Sequence, residues 1–187
     1  MSLCEDRTNG REGSIGRSLN QTSLIPDIRC LGRQHEAELC RVLFGLEPSA
    51  RCARFNQAVN DAFLAKHATS ALLNATWVIG AFVDAHLRGF VEVYDGGAHR
   101  CVEAAFVVEE KWRRRGLGWE LLQAAMKMSG DVNTNALRVI FCRNNWGMRK
   151  LADKARGRFD ISLDEISVDI PLHRRIHDQD PPTLSMG

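Results

Sequence analysis

The run Ala105-Phe106-Val107-Val108-Glu109-Glu110-Lys111-Trp112-Arg113-Arg114-Arg115-Gly116-Leu117-Gly118 decides how this chain is read. Its apolar start reads as a strand end, and Leu117, Leu121, Leu122 and Ala125 place one face of an amphipathic helix over Leu117 to Met128. The first turn of a helix carries backbone N–H groups without intrahelical partners. The helix dipole adds partial positive charge at the same end, so a diphosphate suits it. Gly116 and Gly118 let backbone approach phosphate oxygens closely. Three adjacent arginines supply charge and forked donors. Taken alone, a basic turn before a helix is more often a solvated loop. Neither a G-x-x-x-x-G-K-[S/T] loop nor a G-x-G-x-x-G fingerprint occurs, which argues against a nucleoside triphosphatase and a dinucleotide-binding fold.

Working outward, Thr76 to Val83, Leu87 to Tyr94 and Cys101 to Val108 read as three strands. Asp84-Ala85-His86 marks a hairpin turn between the first two. Downstream come a strand over Leu137 to Cys142, a helix over Trp146 to Ala155, and closing strands over Phe159 to Ser162 and Ile166 to Ile170. Upstream, Asp27 to Leu31 is a short strand, and Gln34 to Phe44 and Ala50 to Lys66 carry helical spacing, with Glu47-Pro48-Ser49 as a turn. The order predicts a mixed α/β sheet with helices on its faces. Residues 1–27 and 172–187 are polar and read as flexible tails around one domain spanning 28–171.

The 187 residues suit a single domain. A net charge of +2 is too small to imply a nucleic acid or an anionic membrane as partner. No apolar run approaches the ~20 residues of a membrane helix. Six cysteines are scattered without a C-x-x-C pair, which argues against a zinc ribbon or redox dithiol. With no secretory signal read, they are expected to be free thiols in the cytoplasm. His173 and His177 lack a third ligand, so no metal site is expected.

Arg113 to Gly118 matches the pattern Q/R-x-x-G-x-G/A, and Asn145-Trp146-Gly147-Met148-Arg149-Lys150-Leu151 resembles N-x-x-A/M-x-x-L. In that order and at that spacing they resemble the GNAT N-acetyltransferase family from about Thr76 to Ile170. The helical region before it loosely resembles the subgroup with bacterial protein-lysine acetyltransferase domains. The resemblance implies the GNAT acyl-CoA N-acyltransferase fold: a mixed, mostly antiparallel sheet with splayed central strands and helices on both faces. It also implies acetyl-CoA as cosubstrate, wedged between the fourth and fifth strands. Backbone at Phe106, Val107 and Val108 would pair with the pantetheine arm. The loop Arg113, Arg114, Arg115, Gly116, Leu117, Gly118 and Trp119 would hold the diphosphate, and Asn145 would touch the cofactor from the next loop.

The same resemblance implies acetyl transfer to a primary amine, on a protein lysine or a small molecule, by direct attack. The amine must lose a proton before it attacks. Glu103, on the strand face of Ala105 and Val107, is the candidate base; Glu92 on the neighbouring strand is a second candidate and is expected to be exposed. Many relatives carry a tyrosine where this chain has Ala152, and Tyr94 is its only tyrosine. That departure leaves the proton donor unassigned and keeps a non-catalytic acyl-CoA-binding module as the alternative. A homodimer is compatible with the family, and Asn144 is read as the cap of the helix at Trp146.

Overall fold

The computed structural model describes residues 25–97, 100–130 and 134–172. Nearly all of both expected tails, with His173 and His177, lies outside the described residues. One seven-stranded sheet runs β1-β2-β3-β4-β5-β7-β6. Its strands are β1 (Asp27–Cys30), β2 (Trp77–Val83), β3 (His86–Asp95), β4 (Cys101–Val108), β5 (Ala136–Cys142), β6 (Arg158–Ile161) and β7 (Glu165–Pro171). Every pairing is antiparallel except β4 with β5. The helices are α1 (Glu36–Phe44), α2 (Pro48–Phe55), α3 (Asp61–Asn74), α4 (Leu117–Gly130) and α5 (Trp146–Lys154). This is the mixed, mostly antiparallel α/β architecture expected.

Alternation along the strands divides the core in two. Val91 and Val93 of β3, Val102 and Ala104 of β4, and Leu137, Val139 and Phe141 of β5 pack against Leu117, Leu121, Leu122 and Ala125 of α4. Met148 and Ala152 of α5 join the same cluster. On the opposite face Phe90 and Val107 meet Leu39, Val42 and Leu43 of α1 and Leu64, Ala68 and Ala71 of α3. The sheet thus carries a helical layer on each side.

The structure corrects three local expectations. Ala50 to Lys66 is not one helix. Asn56 ends α2 in the left-handed region (φ 54), and Asn60 starts α3 by accepting the Phe63 N–H at 2.9 Å. Asparagine bonds its own backbone readily and so competes with the helix interior. Pro48 is not in a turn but opens α2, where its missing N–H costs nothing. The β2–β3 turn contains only Asp84 and Ala85, at φ 51 and 61, because His86 already pairs with Val83. Two left-handed residues give the turn whose twist matches that of the strands.

Candidate functional site

β4 and β5 touch over three residue pairs only: Cys101 with Ala136, Val102 with Leu137 and Glu103 with Arg138. Beyond Glu103 the ladder stops. Residues Ala104–Val108 and Val139–Cys142 therefore face each other across an opening, with backbone donors and acceptors left unpaired on that side. Each strand stays anchored on its other edge: β4 pairs with β3 through Val108, and β5 with β7 through Cys142. The sheet is thus split at its centre without being weakened at its flanks. Phe106, Val107 and Val108 line the β4 side. Val107 turns its side chain into the α1–α3 core, and Phe106 and Val108 turn theirs toward α4.

At the wide end of the split, the chain passes through a short 3-10 turn (Glu110–Trp112) and enters α4. Glu109 fixes the start of this loop by accepting from both Arg41 and Arg88. Arg114 and Gly116 then take positive φ values of 58 and 95. No Cβ contact crowds Gly116, so its conformation, not lack of space, is what calls for glycine. The backbone N–H groups of Arg114, Arg115, Gly116, Leu117 and Gly118 find no acceptor among the described residues. The Trp119 N–H does not belong with them, because it already donates to Gly116 O at 2.9 Å. Five free donors thus stand at and just before the positive end of a 14-residue helix, an arrangement suited to an anion.

The three arginines divide their tasks. Arg113 donates from Nε to Val108 O at 3.2 Å. Arg115 and Arg88 both stack on the Trp112 ring, each 4.9 Å from its centroid. Two of the three guanidinium groups thus shape the loop; Arg114 makes no such contact. Asn145, not Asn144, caps α5: its Oδ1 accepts the Met148 N–H at 3.0 Å. Its amide NH2 stays unbonded among the described residues, three residues beyond the end of β5.

Glu103 stands at the apex of the split and is exposed. It faces the α1–α3 side, between Tyr94 of β3 and Arg138 of β5 in register. Arg138 is held in turn by a two-pronged pair with Asp169 (2.7 and 2.9 Å). This pair keeps the Asp169 carboxyl below the usual aspartate range.

Glu92 departs from expectation: it is completely buried. Opposite Ala105 in register, it shares the face of Glu103. Its Oε1 pairs with His67 Nε2 at 2.9 Å, and its Oε2 accepts from Arg54 and, at 3.2 Å, from Tyr94 Oη. Burial, reinforced by the Glu92 charge and hydrogen bond, holds the Tyr94 hydroxyl well above the usual tyrosine range, so it keeps its proton. These contacts tie α2, α3 and β3 together beside the split. Cys142, at the end of β5, meets the C-terminal end of α2 through Ala53 O and Asn56 Oδ1 at 3.7 Å. The cluster escaped the sequence reading because Arg54, His67, Glu92 and Tyr94 follow no recurrent spacing.

Ala152, at the position of the missing tyrosine, is fully buried in α5. No group of three or more metal-ligating side chains occurs among the described residues. None of the helices there is long and apolar enough to cross a membrane.

A family model described as acetyltransferase (GNAT) family matches residues 43–157, well over half the chain. Solved structures show the same fold at low identity. The GNAT domain of Streptomyces lividans PAT has a TM-score of 0.68 at 13% identity, over 79% of this chain and 90% of that one. The protein yncA of Salmonella typhimurium, solved with its cofactor acetyl-CoA, scores 0.63 at 14% identity, over 84% and 99%. The ribosomal-protein-S18-alanine N-acetyltransferase of Escherichia coli scores 0.63 at 11% identity, over 83% and 99%. No curated protein matches the chain.

Proposed function

As the chain belongs to the acetyltransferase (GNAT) family, we propose that it transfers acetyl from acetyl-CoA to a primary amine by direct attack. The observation that carries this reading is the split between β4 and β5, which ends at Glu103 and opens toward five unpaired N–H groups. The split fits an extended, amide-bearing arm, and a cradle of these donors fits the diphosphate to which that arm is joined.

Bound acetyl-CoA supplies an activated thioester. The unpaired backbone of Phe106, Val107 and Val108 orients the arm, and an N–H near Val108 polarises the acetyl carbonyl. The amides of Arg114 to Gly118, with the Arg114 side chain, hold the diphosphate, and Asn145 NH2 reaches the arm from the facing loop. Arg113 and Arg115 act indirectly by holding the loop in shape. Glu103 takes a proton from the incoming ammonium; the neutral nitrogen then bonds to the acetyl carbon as the C–S bond breaks, coenzyme A leaves as its thiolate, and the second nitrogen proton passes through water to that sulfur. The acceptor enters on the α1–α3 side, where Glu103 is exposed and α2 forms the cover. Neighbours of this fold include an enzyme named for an alanine of a ribosomal protein, and a lysine or small-molecule amine suits the same chemistry. The free thiols suit the reducing cytoplasm.

Buried Ala152 favours a second reading, a module that holds acyl-CoA without turning it over. Glu103→Gln, assayed for coenzyme A release over a panel of primary amines, separates the two. Transfer predicts wild-type turnover and a loss of about 100-fold or more in the variant, with acetyl-CoA affinity kept within about twofold. Tight acetyl-CoA binding without turnover on any amine would establish the module instead. Gly116→Ala tests the cradle: in the strained left-handed region it should weaken acetyl-CoA binding at least about tenfold, read by calorimetry.

A further inference from the structure

Glu103 and Arg138 are the last residues that pair β4 with β5, and they stand side by side on one face of the sheet. Opposite charges placed directly across two strands attract. Here they do not join: among the described residues Glu103 closes no ion pair within 4.0 Å. Arg138 reaches the other way, to Asp169, its direct neighbour on β7. Its Nε and Nη2 each donate to one oxygen of that carboxylate, at 2.7 and 2.9 Å, and its Nη1 has no acceptor among the described residues. A guanidinium held on two prongs is fixed in direction.

Both carboxylates act on Arg138. The hydrogen bond and charge of Asp169 raise its pKa most, and the charge of Glu103 works in the same direction. Asp169 is kept ionised first by the Arg138 hydrogen bond, then by the charges of Arg138 and of Arg158, which opposes it in register from β6. The other ionisable groups around Glu103 are engaged or buried. Tyr94, opposite Glu103 on β3, donates to Glu92. Arg54 of α2 and His67 of α3 bind the same Glu92. Cys101, two residues back on β4, is buried. Arg158 lies three strands away from Glu103. Arg138 is thus the cation placed to close on Glu103.

We propose that Asp169 is a positioning residue for the transfer: by holding Arg138 it keeps the Glu103 carboxylate free for the incoming amine. This rests on the reading of Glu103 as the group that takes the amine's proton. Without Asp169, Glu103 is the carboxylate left beside Arg138. Neighbouring strands lie roughly 5 Å apart, within the span of an arginine side chain. An ion pair between the two occupies the carboxylate oxygens and favours their charged form, which weakens proton uptake. The ladder between β4 and β5 ends at this very pair, so the acceptor meets Glu103 where Arg138 would lie.

Asp169→Ala tests this, beside Arg138→Gln and the double variant Asp169→Ala/Arg138→Gln. The first readout is the side-chain carboxyl resonance of Glu103 in full-length protein carrying isotope-labelled glutamate, assigned by its loss in Glu103→Gln. In Asp169→Ala its titration midpoint should fall by at least about 0.5 pH unit from wild type. The double variant should titrate as Arg138→Gln does, because Asp169 acts only through Arg138. The second readout is kinetic, on the most active primary amine of the panel. At neutral pH kcat/KM for that amine should fall about three- to fivefold in Asp169→Ala, while KM for acetyl-CoA stays within about twofold. The acid limb of the kcat/KM profile should move with the carboxyl midpoint. A loosened sheet alone would raise the acetyl-CoA KM and leave that midpoint in place. Asp169→Asn, which keeps the shape, replaces Asp169→Ala should the latter not fold, with a shift in the same direction. An unmoved midpoint in the folded variant would overturn the proposal. So would a difference between the double variant and Arg138→Gln. A wild type that turns over no amine would overturn the transfer reading instead, and the carboxyl titration would still decide whether Asp169 keeps Arg138 off Glu103.

Discussion

Glu92 and Glu103 lie on one sheet face on adjacent strands, yet physics assigns them opposite characters. Glu92 is sealed beneath α2 and spends both oxygens on Arg54, His67 and Tyr94; Glu103 is exposed where the ladder stops. Removing one partner of a buried ion pair leaves the other charge stranded. Glu92→Gln should therefore cost about 2–4 kcal/mol in denaturant-unfolding free energy, whereas Glu103→Gln should stay within about 0.5 kcal/mol of wild type. Asp169 governs the acid side. Its hydrogen bond and ion pair with Arg138 depress its folded pKa, so the stabilisation is present above the unfolded value of ~3.9 and is lost as pH falls through the folded value. Asp169→Asn should lower Tm at neutral pH and flatten its dependence on pH below about 4, as a pH series of thermal melts would read.

At the level of elements, two short connections hold strain or looseness that their sequences only partly announce. Asp84 and Ala85 both adopt the left-handed region. Asp tolerates it, but alanine pays for its Cβ there, so Ala85→Gly should stabilise the fold by about 1 kcal/mol, read as a shift in denaturant midpoint. α2 is the other case. It contributes no buried residue, and is held by the Arg54–Glu92 pair, the Phe55 edge contacts and the bonds of Arg51 to Leu46 O, Phe44 O and Asp61. Few buried apolar contacts mean a low free energy of local opening. Hydrogen exchange should be faster in α2 than in α1, α3 or α4, and Glu92→Gln should speed it further. In the proposed reaction such an element suits a cover on the acceptor side, tied to the α1–α3 core through the partly buried Ala50 and Phe55.

For the whole molecule, the two cores lie on opposite faces of a sheet that is continuous at both flanks and divided in the middle. The apolar periods of α4 and of β2 to β5 were legible because burial on one or two faces imposes a period of 3.6 or 2 on side-chain choice. The loop Arg113 to Gly118 was legible as a turn into a helix because such a turn needs particular residue types locally. Its readings were incomplete at the side chains: Arg113 and Arg115 turn back onto Val108 O and Trp112, contacts that no spacing announces. The break at Asn56 was missed because alanine and leucine carry the helical pattern past it, and capping by Asn60 outweighs that pattern only in three dimensions.

Local propensity and periodicity in the sequence were enough for the order of the strands and for α4 and α5, while the family resemblance rested on the two motifs at Arg113–Gly118 and Asn145–Leu151. Only the fold decided where β4 and β5 part and that Glu92 is buried while Glu103 is open. These depend on which residues meet across the sheet, and register joins positions as distant as Glu103 and Arg138 that no local rule relates.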